Sequence, residues 1–225
     1  MLVHDKIKLQ NNGLVVLKKI YPKDFVNQLN KEYEKRWRVV KKKLPKKSDK
    51  KGIKYFENAE IMKLEKGRYD FNWKMNEGVF SSNKFLKPKR LYSLIKEVLE
   101  SDFFAEAGAL PTFPGAKNGG WHRDVYTLFN DENLQLDLPP FYITVLIPLQ
   151  DLDNYIGGTE FIENSHRLFQ SNFEGKMGYI PECRAGDAIV FNGMMYHRGL
   201  ANYSKNERKM LYIVFCKKWY RDYTV

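Results

Sequence analysis

A chain of 225 residues that is 43% hydrophobic and 15% aromatic can fill one sizeable core and sits near the upper size that a single core supports. Its formal charge of +11 favours anionic partners without choosing among phosphorylated metabolites, nucleic acid and acidic polymers. No apolar run approaches the roughly 18 residues of a membrane span, and the opening MLVHDKIKLQNNG scatters charges where a secretory signal needs an apolar stretch, so a single domain in the cytoplasm, with no membrane span, is expected.

From Tyr21 the segment YPKDFVNQLNKEYEKRWRVV spaces Phe25, Leu29, Tyr33 and Trp37 four apart, with Val26 beside them and Asp24 near the start. That pattern predicts an amphipathic helix. The lysine run KKKLPKKSDKKG, Lys41 to Gly52, is broken by Pro45 and Gly52 and reads as a solvated loop, serving either solubility or contact with an anionic substrate or partner. GRYDFNW, Gly67 to Trp73, and GALPTFPGAKNG, Gly108 to Gly119, are candidates for covering the mouth of a site. A second helix is predicted over Pro88 to Ser101, where Leu91, Leu94, Ile95, Val98 and Leu99 form one apolar face behind Pro88 in the first turn.

Beyond Phe103 the texture changes to short apolar or alternating runs, FYITVLIPL, GGTEFIE, MGYIPE, DAIVFNG and RKMLYIVFCKKWY, divided by Gly, Pro, Asn and Asp. Such runs predict a β-sandwich, jelly roll or barrel. The expected layout is one domain: an N-terminal helical and substrate-covering region over residues 1–102, against a β core over 103–225. Cys183 in a polar loop and Cys216 in an apolar run suit neither a disulfide framework nor a paired-cysteine zinc site.

The segment GGWHRDVY places His122 and Asp124 two positions apart. Alternate residues of an extended chain share a face, so both side chains reach one ion. A catalytic metal needs a third ligand, and of the four histidines His4 lies at the terminus, which leaves His166 in ENSHR and His197 in MMYHRG. His197 follows an apolar strand and a loop, a position that points into a barrel mouth, whereas His166 follows a turn. His122, Asp124 and His197 would make the two-histidine, one-carboxylate facial set that leaves three positions open on octahedral Fe(II); the same three groups also suit Zn²⁺ in a hydrolase. Arg208 stands eleven positions beyond His197. On a strand leading into the core its guanidinium would need an anion, and its planar fork matches a carboxylate; the alternative places it in the charged loop SKNERK.

Together these residues resemble the phytanoyl-CoA dioxygenase family of iron- and 2-oxoglutarate-dependent oxygenases, over about Gly119 to Phe215. WHRD is similar to its metal motif, GGTEFIENSHR to its glycine turn, strand and Ser-His-Arg, and AGDAIVFNGMMYHRGLANYSKNERKMLYIVF to its distal histidine and arginine. The resemblance implies a mainly β fold with flanking α-helices, a double-stranded β-helix (jelly roll, cupin-like). It further implies Fe(II), 2-oxoglutarate and dioxygen as cofactor and cosubstrates, with His122, Asp124 and His197 binding the metal and Arg208 meeting the distal carboxylate of 2-oxoglutarate. Thr144 would line the cosubstrate pocket, and His166 would be structural. The family often has a small hydroxyl residue where Gly199 stands here. Hydroxylation of an unidentified small substrate, an anionic one among those the charge admits, with release of succinate and carbon dioxide is the implied reaction, and retention of Asp124 argues against halogenation. A non-catalytic domain binding nucleic acid or another polyanion, and the zinc hydrolase, are the alternatives.

Overall fold

The computed structural model describes residues 2–42, 52–56, 59–73, 77–129, 131–136, 138–168 and 177–220. Helix α1 (Leu2–Asn12) leads into strand β1 (Leu14–Leu17), and helix α2 (Lys23–Lys41) follows. Its four-residue stripe does what the spacing predicts: Phe25, Val26, Leu29, Tyr33, Trp37 and Val40 are all buried. Strands β2 (Gly52–Phe56), β3 (Ala59–Glu65) and β4 (Arg68–Trp73) come next, then the single turn α3 (Asn83–Leu86) and helix α4 (Lys89–Leu99). Helix α4 starts one residue after Pro88 and buries the five predicted apolar residues. The remaining elements are β5 (Phe103–Ala109), the short α5 (Glu132–Leu136), β6 (Tyr142–Pro148), β7 (Thr159–Phe161), β8 (Ala188–Asn192), β9 (His197–Gly199) and β10 (Met210–Lys217).

Among the described residues the larger sheet is antiparallel throughout, in the order β1-β8-β6-β10-β5-β4-β3-β2. One of its faces packs Val145, Ile147, Ile213, Phe215 and Ala107 against Phe25, Leu29, Leu91 and Ile95 of the helices. That layer is dry, so alternation along β6 and β10 sends Tyr142, Thr144, Tyr212 and Val214 to the opposite face. There the second sheet pairs β7 with β9, and bridges His122↔His197 and Phe161↔Tyr179 extend it on both sides. Two sheets enclosing a cleft, with helices on the outside of one, form the expected double-stranded β-helix.

The N-terminal region differs from its expected helical character. It supplies β1 at one edge of the larger sheet and β2, β3 and β4 at the other, because Leu14–Leu17 and the alternating run over β4 find hydrogen-bonding partners only when the later strands are present. Gly67 to Trp73 is therefore part of the wall and not a cover. His4, near the terminus, lies within α1. Most of the lysine run, residues 43–51, lies outside the described residues. No helix among the described residues is long and apolar enough to cross a membrane.

Trp37 ties helix α2 to the site-bearing wall. Its ring meets Phe71 at 5.5 Å, Tyr69 at 6.1 Å and Phe113 at 6.2 Å between centroids, and Phe71 and Tyr69 flank Asp70 on β4. Trp37→Ala is expected to lower unfolding free energy by about 3–5 kcal/mol, the usual cost of deleting a buried tryptophan, as measured by the shift of a urea midpoint at constant m-value.

Candidate active site

Backbone pairing explains why residues 75 positions apart in sequence meet. His122 and His197 exchange both hydrogen bonds, N–H to O at 3.0 and 2.9 Å, so they sit directly opposite and project to the same face. Their rings lie 4.3 Å apart between centroids. Asp124 follows on the same side, its backbone N–H donating to the Gly193 carbonyl at 2.9 Å. One ligand atom from each of the three residues falls within 4.8 Å of the others, and His197 Nε2 stands 3.4 Å from Asp124 Oδ1.

The donor set fits a metal ion in its tautomers as well as its spacing. His122 Nδ1 lies 3.0 Å from the Gly120 carbonyl and His197 Nδ1 lies 3.0 Å from the Met195 carbonyl. A carbonyl only accepts, so each Nδ1 carries the proton and each Nε2 presents a lone pair. Burial lowers the pKa of His197, against the opposing pull of Asp124, which keeps the imidazole neutral. The Thr144 hydroxyl donates to Asp124 Oδ2, leaving Oδ1 toward His197. Phe161 and Phe191 pack on the His197 ring at 5.7 and 4.8 Å between centroids and fix its orientation.

His166 stays outside this group. Its Nε2 lies 3.1 Å from the Gln10 carbonyl, and the adjacent Ser165 hydroxyl accepts the Tyr196 N–H at 2.8 Å. Arg123, between the two metal-motif residues, donates to the Ser165 and Leu168 carbonyls and lies over the Tyr196 ring. The Ser-His-Arg turn thus anchors the metal motif from behind.

Arg208 is 4% exposed, which excludes the surface-loop alternative. It donates to the Gly158 and Leu200 carbonyls at 3.0 Å each and to Thr112 Oγ1 at 3.2 Å; its Nε is buried with no partner among the described residues. A second guanidinium, which sequence reasoning missed, lies beside it. Arg68 of β4 is 7% exposed and donates to the carbonyls of Lys117, Gly199 and Leu200. Bridges Arg68↔Thr112 and Thr112↔Arg208 set the two arginines in one row across the wall. Burial, reinforced by Arg68, pulls the Arg208 pKa down to about 9. The one carboxylate paired with them among the described residues is Glu65, 3.8 Å from Arg68 Nε with 39% of its side chain exposed. Two buried cations so weakly countered form a site for an anion.

Gly199 is required by this pair. A Cβ there would stand 2.5 Å from Arg68 Nη1 and 3.2 Å from Arg208 Nη2, so the missing hydroxyl of position 199 is replaced in space by a guanidinium. Gly157, at φ +74°, serves the same end: a Cβ on it would meet the Ala201 carbonyl at 2.2 Å and Arg208 Nη1 at 3.1 Å.

A double-stranded β-helix with two histidines and a carboxylate converging at one end, and a buried arginine pair further in, defines the class. The sequence profile of the family Phytanoyl-CoA dioxygenase (PhyH) matches residues 9–210, and the chain belongs to that family. It is similar to the Fe(II)/2-oxoglutarate-dependent dioxygenase nvfF of Aspergillus novofumigatus, 31% identical over 105 residues, a match that covers 45% of this chain and 34% of that protein; the chain thus spans about a third of its curated relative. Among solved structures it is similar to the epimerase SnoN in complex with Fe³⁺, alpha ketoglutarate and nogalamycin RO (TM-score 0.70, 14% identity, 100% of this chain and 87% of that one). HygX from Streptomyces hygroscopicus with nickel, 2-oxoglutarate and hygromycin B bound is comparable (TM-score 0.68, 12% identity, 96% and 88%). At these identities the two structures speak to the fold.

Proposed function

We propose that the protein is an Fe(II)- and 2-oxoglutarate-dependent oxygenase that hydroxylates a small organic substrate, with release of succinate and carbon dioxide. The observation that carries this is the pairing of a facial His-Asp-His set with a buried, weakly countered arginine pair in the same cleft. A zinc hydrolase accounts for the first and leaves the second without a purpose. His122 and His197 would hold Fe(II) through Nε2 and Asp124 through a carboxylate oxygen. Bound there, the iron would supply the dioxygen chemistry, with 2-oxoglutarate as the two-electron co-reductant.

The chain's own residues bind and orient. Backbone carbonyls of Gly120 and Met195 hold the imidazole tautomers. Thr144 fixes the rotation of the Asp124 carboxylate. Arg208 and Arg68 take the distal carboxylate of 2-oxoglutarate, and the burial of both guanidiniums strengthens that ion pair. The reading is tested by incubating protein, Fe(II), 2-oxoglutarate and dioxygen and following succinate. Slow substrate-free release of succinate that stops when Zn²⁺ replaces Fe(II) is expected, and no release under any condition with metal and cosubstrate bound would oppose it.

Arg68 offers a sharper check through position 199. Arg68→Ala is expected to weaken 2-oxoglutarate binding about tenfold or more, as loss of one charged hydrogen-bonding partner does. Gly199→Ser should weaken binding in the native background, where the new Cβ displaces Arg68, and strengthen it in the Arg68→Ala background, where the hydroxyl enters vacated space. Calorimetric titration of Mn²⁺-loaded protein measures all four; additive effects would contradict the exchange.

A further inference from the structure

The tip of the β3–β4 hairpin connects the arginine pair with the metal site. Glu65 and Arg68 are cross-strand partners on either side of Lys66 and Gly67, so their side chains project to the same side. Both reach the segment that carries His122. The Arg68 guanidinium donates to the Lys117 carbonyl at 2.6 Å and to the Gly199 carbonyl at 3.1 Å. The Gly119 N–H donates to the same Gly199 carbonyl at 2.9 Å, so Arg68 closes the end of the pairing that runs on to the His122↔His197 bridge.

Glu65 makes the next link. Its Oε1 accepts the Gly120 N–H at 3.2 Å, and the Gly120 carbonyl in turn accepts the His122 Nδ1 proton at 3.0 Å. Gly120 thus stands between Glu65 and a metal ligand, with one backbone group bonded to each. Phe161 and Phe191 fix the His197 ring, whereas His122 is exposed, so the orientation of His122 rests more heavily on this backbone hold. The other oxygen of Glu65 faces the anion site: Oε2 lies 3.8 Å from Arg68 Nε, and its charge opposes the fall that burial imposes on the Arg68 pKa. A carboxylate arriving at Arg68 is repelled by Glu65 and competes with it for the same guanidinium. With 39% of the Glu65 side chain exposed, water screens that competition, which tempers anion binding without blocking it.

We propose, resting on the oxygenase reading, that Glu65 is a positioning residue shared by the two sites: it holds the loop that orients His122 for the metal, and its charge limits how tightly Arg68 takes 2-oxoglutarate. The two roles use different properties of one side chain. An amide oxygen accepts the Gly120 N–H as a carboxylate oxygen does, but carries no charge. Glutamine therefore keeps the first role and removes the second, and alanine removes both.

The test is calorimetric: Mn²⁺ binding to metal-free protein, then 2-oxoglutarate binding at saturating Mn²⁺, with circular dichroism to confirm that each variant folds. Glu65→Gln is expected to hold Mn²⁺ within about twofold of the native protein and to bind 2-oxoglutarate about threefold more tightly, the size of a screened charge contact. That gain should shrink at high salt. Glu65→Ala should weaken Mn²⁺ binding about fivefold, as the loss of one hydrogen bond to a charged acceptor does. In the Arg68→Ala background Glu65→Gln should change 2-oxoglutarate binding by less than about twofold, because the two residues act through one contact. Failure of the native protein to bind 2-oxoglutarate at all would count against the oxygenase reading instead. With that binding present, the inference is overturned by 2-oxoglutarate affinity unchanged or lowered in Glu65→Gln, by a gain undiminished in the Arg68→Ala background, or by equal Mn²⁺ affinity in the glutamine and alanine variants.

Discussion

His197→Ala is expected to abolish metal binding, leaving less than stoichiometric traces after dialysis against Fe(II) or Mn²⁺. The bridge to His122 is made by backbone atoms, so alanine preserves the pairing and removes only the ligand. His122 is exposed and Asp124 partly buried; two such groups without the buried third do not retain a divalent ion at micromolar concentration. Alanine also opens a void against Phe161 and Phe191, at a cost of about 1–3 kcal/mol in stability, so circular dichroism must accompany the metal assay. His166→Ala is the matched control: its ring bonds Gln10 and metal content should remain near one per chain. Metal lost equally from both variants would contradict the assignment of the third ligand.

Arg208→Ala should leave metal content intact and weaken 2-oxoglutarate by about 2–5 kcal/mol, the range for truncating a buried charged partner, which is roughly a hundredfold or more in affinity. The effect is large because the wall around Arg208 excludes water: the guanidinium is 4% exposed and held by Gly158, Leu200 and Thr112. Arg208→Lys should recover little, since an ammonium cannot reproduce the two-pronged contact. Because removing one of two adjacent cations also relieves repulsion, the apo variant should unfold at a higher urea concentration than a cavity alone would suggest. Unchanged cosubstrate affinity in Arg208→Ala would sink the role given to this residue.

The chain's local patterns carried its helices and its metal motif. Phe25 to Trp37 and Leu91 to Leu99 repeat with the helical period, and His122 and Asp124 with the extended one, so each could be read from neighbours alone. His197 and Arg208 needed more, because strand ends and buried guanidiniums acquire meaning only from what lies across the cleft; there the family resemblance supplied the spacing. Arg68 left a fainter trace. It shares parity with Asp70 on an alternating strand, and Gly199 lacked the hydroxyl usual at its position, but only the pairing of β4 with β5 joins the two facts. The strands of the N-terminal region were hidden for the same reason, since edge strands depend on partners far along the chain.

The central claim is that one cleft binds a divalent iron and 2-oxoglutarate together, and an anaerobic titration tests it most directly. Metal-free protein is brought to one equivalent of Fe(II), then titrated with 2-oxoglutarate while the visible spectrum is followed. The account predicts a charge-transfer band that saturates at one equivalent, as a 2-oxoacid chelated to protein-bound Fe(II) produces. Iron bound without that band at saturating 2-oxoglutarate would contradict it.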